Sequence, residues 1–264
     1  MNFAKALARP LIRSGTRIGT AALLTATTTL AAQAFDITNM SDAEREAFRA
    51  EVRAFIMENP EMIMEEAYEV YQQQQSEAQV ANDADLIAAY SEVIYNDEND
   101  AVYGNPDGDI VLVEFSDYRC GYCKKAYPDV QALLEKDGNI KLIVKEFPIL
   151  GEASVLASRF AVATKIVAGN EAYLKLHDEL MQARGDVSEG MLRRLAKDLE
   201  IDADAVVAEM ESDEVTAILA LNHQLAQELQ ISGTPGFILG DQMLRGYVPY
   251  DGMVEIVAEV RANR

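Results

Sequence analysis

The chain has 264 residues, 49% of them hydrophobic, with 44 acidic and 23 basic side chains and a formal charge of −21. That apolar fraction is enough for one full-sized core plus a small appendage and argues against a disordered chain. The acidity argues against nucleic acid and anionic lipid as partners.

The first 34 residues depart from that balance. They carry Lys5, Arg9, Arg13 and Arg17 and no acid, followed by the weakly apolar run IGTAALLTATTTLAA and the triplet Ala32-Gln33-Ala34. A basic opening, an apolar stretch and an A-x-A site have the order of a secretory signal, so residues 1–34 are expected to be a signal peptide cleaved near Ala34. An organelle transit peptide would share the Arg and Thr content but not the cleavage triplet. The run is also shorter than the ~20 apolar residues a membrane span needs.

Residues 35–95 read as a helical arm. SDAEREAFRAEVRAFIMENP offers a Ser41/Glu44 capping box, an apolar stripe at Phe48, Val52, Phe55 and Ile56, and a stop at Asn59-Pro60. A second helix is expected from Glu61 into the glutamine run 72–75, and a short third over 85–95. Such Glu- and Gln-rich helices cannot bury their Met, Phe and Tyr side chains alone. Self-association through 35–81 is the preferred reading; a docked arm in a monomer is the alternative. The stretch 96–108, rich in Asn, Asp and Gly, reads as a linker.

The main domain, residues 96–264, opens on IVLVEF at 110–115, a buried strand interrupted only by Glu114. A helix over 124–136 stopping before Gly138 and a strand IKLIVKEF at 140–147 complete a βαβ unit. Helices then fill about 152–230, with a break at Gly169. A hairpin over Gly240-Asp241 and a final helix from Asp251 close the chain. The class is α/β: a βαβ half, an inserted helical block and a ββα half.

The only two cysteines, Cys120 and Cys123, lie between the first strand and its helix, in CGYC. A thiol at a helix N-terminus meets free N–H groups and the positive end of the macrodipole, which favour the thiolate. The second sulfur lies one turn on, within bonding reach of the first, so thiol–disulfide exchange is the expected chemistry. As a structural staple the pair would close too small a loop to contribute much. A zinc site lacks ligands, since His177 and His223 are remote, and a c-type haem would need His where Lys124 stands. Two thiolates could still hold Cu(I), which leaves a copper-binding or client-holding protein with little turnover as an alternative.

Two further features accompany the dithiol. Glu114 is expected beneath the cysteines, able to relay protons to Cys123. In Ser232-Gly233-Thr234-Pro235-Gly236, a cis Thr234–Pro235 bond ahead of a strand would present Thr234 as an edge for an extended substrate. Lys145 reads as a solvated strand lysine, and the two histidines as packing or surface residues.

IVLVEFSDYRCGYC, IKLIVKEFPIL and GTPGFIL together resemble the DsbA-type thioredoxin-fold oxidoreductases of bacterial envelopes, from residue 102 to the C-terminus. VRAFIMENPEMIMEEAYEVYQQQQ resembles the arm of the ScsC group, which in some members assembles trimers with disulfide-isomerase activity. The resemblance implies a thioredoxin fold with an inserted helical subdomain, Cys120 as nucleophile, Cys123 as resolving thiol, Glu114 as buried acid and Pro235 as the cis-proline. It places Thr234, Pro235, Gly121 and Tyr122 against substrate. Gly121-Tyr122 matches the isomerase DsbC where DsbA carries Pro and His, implying a less oxidising poise on a scale from about −270 to −120 mV. The function implied is a periplasmic disulfide isomerase or reductase without cofactor, acting on misoxidised envelope proteins, reset by a membrane redox partner and assembled as a trimer or dimer. A monomeric dithiol oxidase is the alternative within the family.

Overall fold

The computed structural model describes residues 39–263, so the expected signal segment lies outside the described residues. The chain divides into two units, one ending at Ile63 and the other beginning at Met64.

In the first, α1 (Asp42–Glu58) starts as its sequence requires. Ser41 Oγ accepts from the Glu44 N–H, and the Glu44 carboxylate accepts from the Ser41 N–H at 2.9 Å, closing the capping box. No residue of α1 is buried; Phe48, Val52, Phe55 and Ile56 are each about 40–50% exposed. Most of α2 (Pro60–Ala89) belongs to the second unit, and it carries the glutamine run through to residue 89 rather than ending there. The expected third helix is only the five residues of α3 (Ser91–Tyr95).

The second unit is built on a five-stranded sheet in the order β1-β3-β2-β4-β5, with β1 (Ala101–Gly104), β2 (Ile110–Ser116), β3 (Ile140–Glu146), β4 (Gly236–Leu239) and β5 (Gln242–Arg245). Only β2 and β3 run parallel, joined through α4 (Gly121–Asp137), whose C-cap Gly138 takes φ 71°, a value glycine adopts without a Cβ clash. β1 corrects the linker reading of 96–108: Ala101 to Gly104 pair antiparallel with β3.

Alternation along β2 and β3 makes two cores. Leu112, Leu142 and Val144 face α4, α5 (Glu152–Gln182) and α9 (Tyr250–Ala262), whereas Val113, Phe115, Ile143 and Phe147 pack against Ile87, Ile94 and Leu225. α5 breaks at Gly169, φ 84°, where the sequence places a stop. Around α5 gather α6 (Glu189–Asp198), α7 (Ala203–Glu209) and α8 (Asp213–Glu228), forming the inserted helical block.

Lys145 overturns the solvated reading. It is fully buried on the second face, its Nζ 2.6 Å from Asp100 Oδ2 and donating to the Val93 carbonyl at 2.7 Å. The sheet is covered on that face, so a strand lysine there must find a buried anion, and Asp100 supplies it.

Candidate functional site

β2 and β4 are neighbours at the middle of the sheet, paired Glu114↔Phe237 and Phe115↔Gly236. The segment leaving β2 and the segment entering β4 therefore meet at one end. Cys120 is the N-cap of α4: its Sγ accepts from the Cys123 N–H at 3.4 Å and, as a thiol, donates to the Thr234 carbonyl at 3.1 Å. The Thr234–Pro235 peptide is cis, as the sequence leads one to expect. Both cysteines are free thiols; Cys120 keeps 7% exposure and Cys123 none, so of the two only the first retains any accessible surface. Between them Gly121 has nothing near the place of a Cβ, and Tyr122 stands 63% exposed.

Glu114 lies where expected, buried on the sheet face that carries α4. The Cys123 thiol faces its carboxyl, the Ser116 hydroxyl and the Asp117 backbone, and burial followed by the Glu114 charge pushes that thiol well up. Burial likewise raises the Glu114 carboxyl to about 7, partly offset by the Ser116 hydroxyl, which donates at 3.0 Å, and raised further by the charge of Glu146.

Two neighbours, Glu146 and Asp117, join the site without having been expected from the sequence. Glu146, at the end of β3, is buried and raised to about 7 by burial, against the hydrogen bonds of Ser158, Tyr118 and Tyr173. Asp117 anchors the approach to the dithiol by accepting the backbone N–H groups of Arg119 (2.7 Å), Ile149 (2.8 Å) and Leu150 (3.1 Å). Lys124 donates to the carbonyls of Leu180 (3.0 Å) and Ala183 (2.5 Å), clasping the last turn of α5 to α4. His177 is buried among tyrosines and pushed down to about 3 by desolvation; the His223 ring lies tilted against Phe147, centroids 5.5 Å apart. A carboxylate inside the apolar strand IKLIVKEF was the available signal for Glu146, the same one that marks Glu114 in IVLVEF.

These groups set a pH dependence of stability. Glu114 and Glu146 lie on one buried sheet face, each raised to about 7 by burial first of all, so the pair holds a proton in the folded state that the unfolded chain releases near 4. Stability is therefore lost as pH rises from about 4.5 to about 7. His177 works the other way below about 6.5, where the unfolded chain takes up a proton that the folded one does not, and so offsets only part of this difference at pH 5.5. The expected result is a urea midpoint higher at pH 5.5 than at pH 8; equal midpoints would show that the Glu114/Glu146 pair does not hold a proton in the fold.

Comparison with known proteins agrees with this arrangement. Residues 111–258 match the model of the DSBA-like thioredoxin domain. A thioredoxin-like oxidoreductase from Silicibacter pomeroyi DSS-3 is 38% identical, covering 65% of this chain and 97% of its own with a TM-score of 0.61. Proteus mirabilis ScsC in a transitional conformation is 31% identical over 85% of this chain and all of its own, TM-score 0.62. Disulfide bond formation protein D of Bacillus subtilis is 25% identical over 182 residues, 60% of this chain and 81% of that protein. The chain also matches Na(+)/H(+) antiporters of Salinispora, of whose length it spans about a quarter (23%). With a dithiol at the N-terminus of α4, a cis-proline at the neighbouring strand and a helical block between, the chain belongs to the DSBA-like thioredoxin domain family, as a ScsC-like thiol–disulfide oxidoreductase.

Proposed function

We propose that this protein is an exported disulfide isomerase or reductase of misoxidised envelope proteins, with Cys120 as nucleophile and Cys123 as resolving thiol. The observation that carries the reading is the asymmetry of the pair: Cys120 sits at the helix N-cap, open to a partner and 3.1 Å from the Thr234 carbonyl, with Cys123 sealed behind it. An extended client would lie along Thr234 and Pro235, over Gly121 and Tyr122.

The Cys120 thiolate attacks one sulfur of a client disulfide. The client S–S bond breaks, a Cys120–client bond forms, and the other client sulfur leaves as a thiolate and takes a proton from water. A second client thiol can then displace Cys120, giving a rearranged disulfide with no net electron transfer. Otherwise Cys123 attacks Cys120, leaving the client reduced by two electrons and the enzyme oxidised, to be reset by a membrane redox partner. Glu114 serves as the acid–base group for Cys123. No helix among the described residues is long and apolar enough to cross a membrane, and the expected cleavage near Ala34 would deliver the protein to the periplasm.

The apolar stripe of α1, bare in a single chain, supports assembly as a trimer or dimer through 35–81. The test is the mature chain beside a version lacking 35–81, each assayed for refolding of scrambled ribonuclease and for mass by light scattering. The mature chain is expected to be oligomeric and to restore ribonuclease, and the shortened one to be monomeric and to retain only oxidation or reduction. An unchanged mass defeats the assembly reading, and failure of the mature chain to restore ribonuclease defeats the isomerase reading.

A further inference from the structure

Behind the dithiol lie two buried carboxyls on one sheet face. Glu114 and Ser116 point to the same side of β2, and Ser116 is the register partner of Glu146 in the parallel pairing with β3. No cation is bonded to either among the described residues. Two neighbouring carboxyls in so dry a place do not both ionise, and the hydrogen bonds decide which keeps the proton.

The count is unequal. Glu146 Oε1 accepts from the hydroxyls of Tyr118 and Tyr173, both at 2.6 Å, and Oε2 from Ser158, also at 2.6 Å. Each hydroxyl has a single proton, so three donors converge on one carboxylate and leave it no need of its own. Tyr118, its proton committed, must accept at 2.9 Å from Nδ1–H of His177, which is neutral. Glu114 receives only the Ser116 hydroxyl, at 3.0 Å. The remaining neighbours do not reverse this. Asp117 faces Glu146 and opposes its ionisation, Tyr103 on β1 feels its charge, and Asn222 on α8 donates to its backbone carbonyl. Lys145 and Asp100 pair on the opposite face.

We infer that Glu146 is the ionised member of this pair and that, by holding the proton on Glu114, it delays attack of Cys123 on the Cys120–client disulfide. The inference rests on the isomerase reading and gives it a cause. Resolution needs the Cys123 thiol to pass its proton to the Glu114 carboxylate; the new thiolate then attacks Cys120 Sγ, the Cys120–client bond breaks as the Cys120–Cys123 bond forms, and the client leaves as a thiolate that takes a proton from water. While Glu114 already carries a proton it cannot accept another. The mixed disulfide persists, and the client has time to rearrange. Glu146 touches neither sulfur; it is a positioning residue for a proton.

The test uses the mature protein with Glu146→Gln, reduced and mixed with a cystine-bridged model peptide, then acid-quenched and read by mass spectrometry for decay of the mixed disulfide between pH 5 and 8.5. At pH 6 the variant should resolve roughly three- to tenfold faster, since losing a coupled charge moves the Glu114 titration by about a unit, and should converge with the parent near pH 8.5. Its ribonuclease isomerisation should fall while client reduction rises. Should this variant not fold, Ser158→Ala, which removes one of the three donors, is expected to shift the profile the same way by about twofold. Superimposable pH profiles of the parent and a folded variant overturn the inference and leave the isomerase reading standing. A parent that does not restore ribonuclease overturns that reading, whatever the profiles show.

Discussion

Replacing Cys120 by alanine is expected to reduce ribonuclease unscrambling to the background without enzyme, while Cys123→Ala keeps a fraction of it. The difference follows from the two burials. Cys120 is the open sulfur and Cys123 is closed off behind it, so a client disulfide has only the first to meet. Without Cys123 the first exchange still occurs, and a client with a second thiol can still leave rearranged; one without it stays bound. The Cys123→Ala protein should therefore accumulate covalent adducts visible on a non-reducing gel, and Cys120→Ala none. Isomerisation retained by Cys120→Ala, or adducts through Cys123, would remove the assignment of nucleophile. The fold should survive both changes.

The second large effect is on stability. Lys145→Ala is expected to cost about 3–5 kcal/mol, because it leaves a buried carboxylate without its ion partner. Asp100 Oδ2 loses an ammonium at 2.6 Å and the Val93 carbonyl loses its donor at 2.7 Å. For a unit of this size the loss corresponds to a melting temperature lower by roughly 10 °C. The deficit should shrink at pH 5.5, where Asp100, raised by burial and no longer held down by Lys145, is neutral in the variant. Pairing Lys145→Met with Asp100→Leu removes both charges and should recover most of the loss. A melting temperature unchanged in Lys145→Ala would mean that water reaches Asp100 in the folded protein.

What could be read from the sequence was local. CGYC between an apolar strand and a helix, the Gly169 break and Thr234-Pro235 before a strand each involve residues close in the chain, whose chemistry is set by their immediate neighbours. The order of the elements and the thioredoxin fold followed from them. What escaped depends on residues far apart. β1 looks like linker because Asp100 precedes it and Gly104 ends it, and its pairing is with residues 141–144. Lys145 looks solvated until Asp100 and Val93 are folded onto it. The donors around Glu146 come from position 118, ahead of α4, and from 158 and 173, on either side of the Gly169 break in α5, and no spacing rule links them. The end of α2 was misjudged because a glutamine run resembles a helix terminus by polarity, although glutamine is a good helix former.

Strand order carries one more consequence. The cysteine-bearing segment and the proline-bearing segment issue from adjacent central strands, β2 and β4, joined by their own amide ladder. The spacing between the two jaws is thus set by amides inside the sheet, flanked by β3 and β5, and fraying at an edge strand leaves it alone. The dithiol and its proline partner should therefore separate only when the central strands themselves come apart.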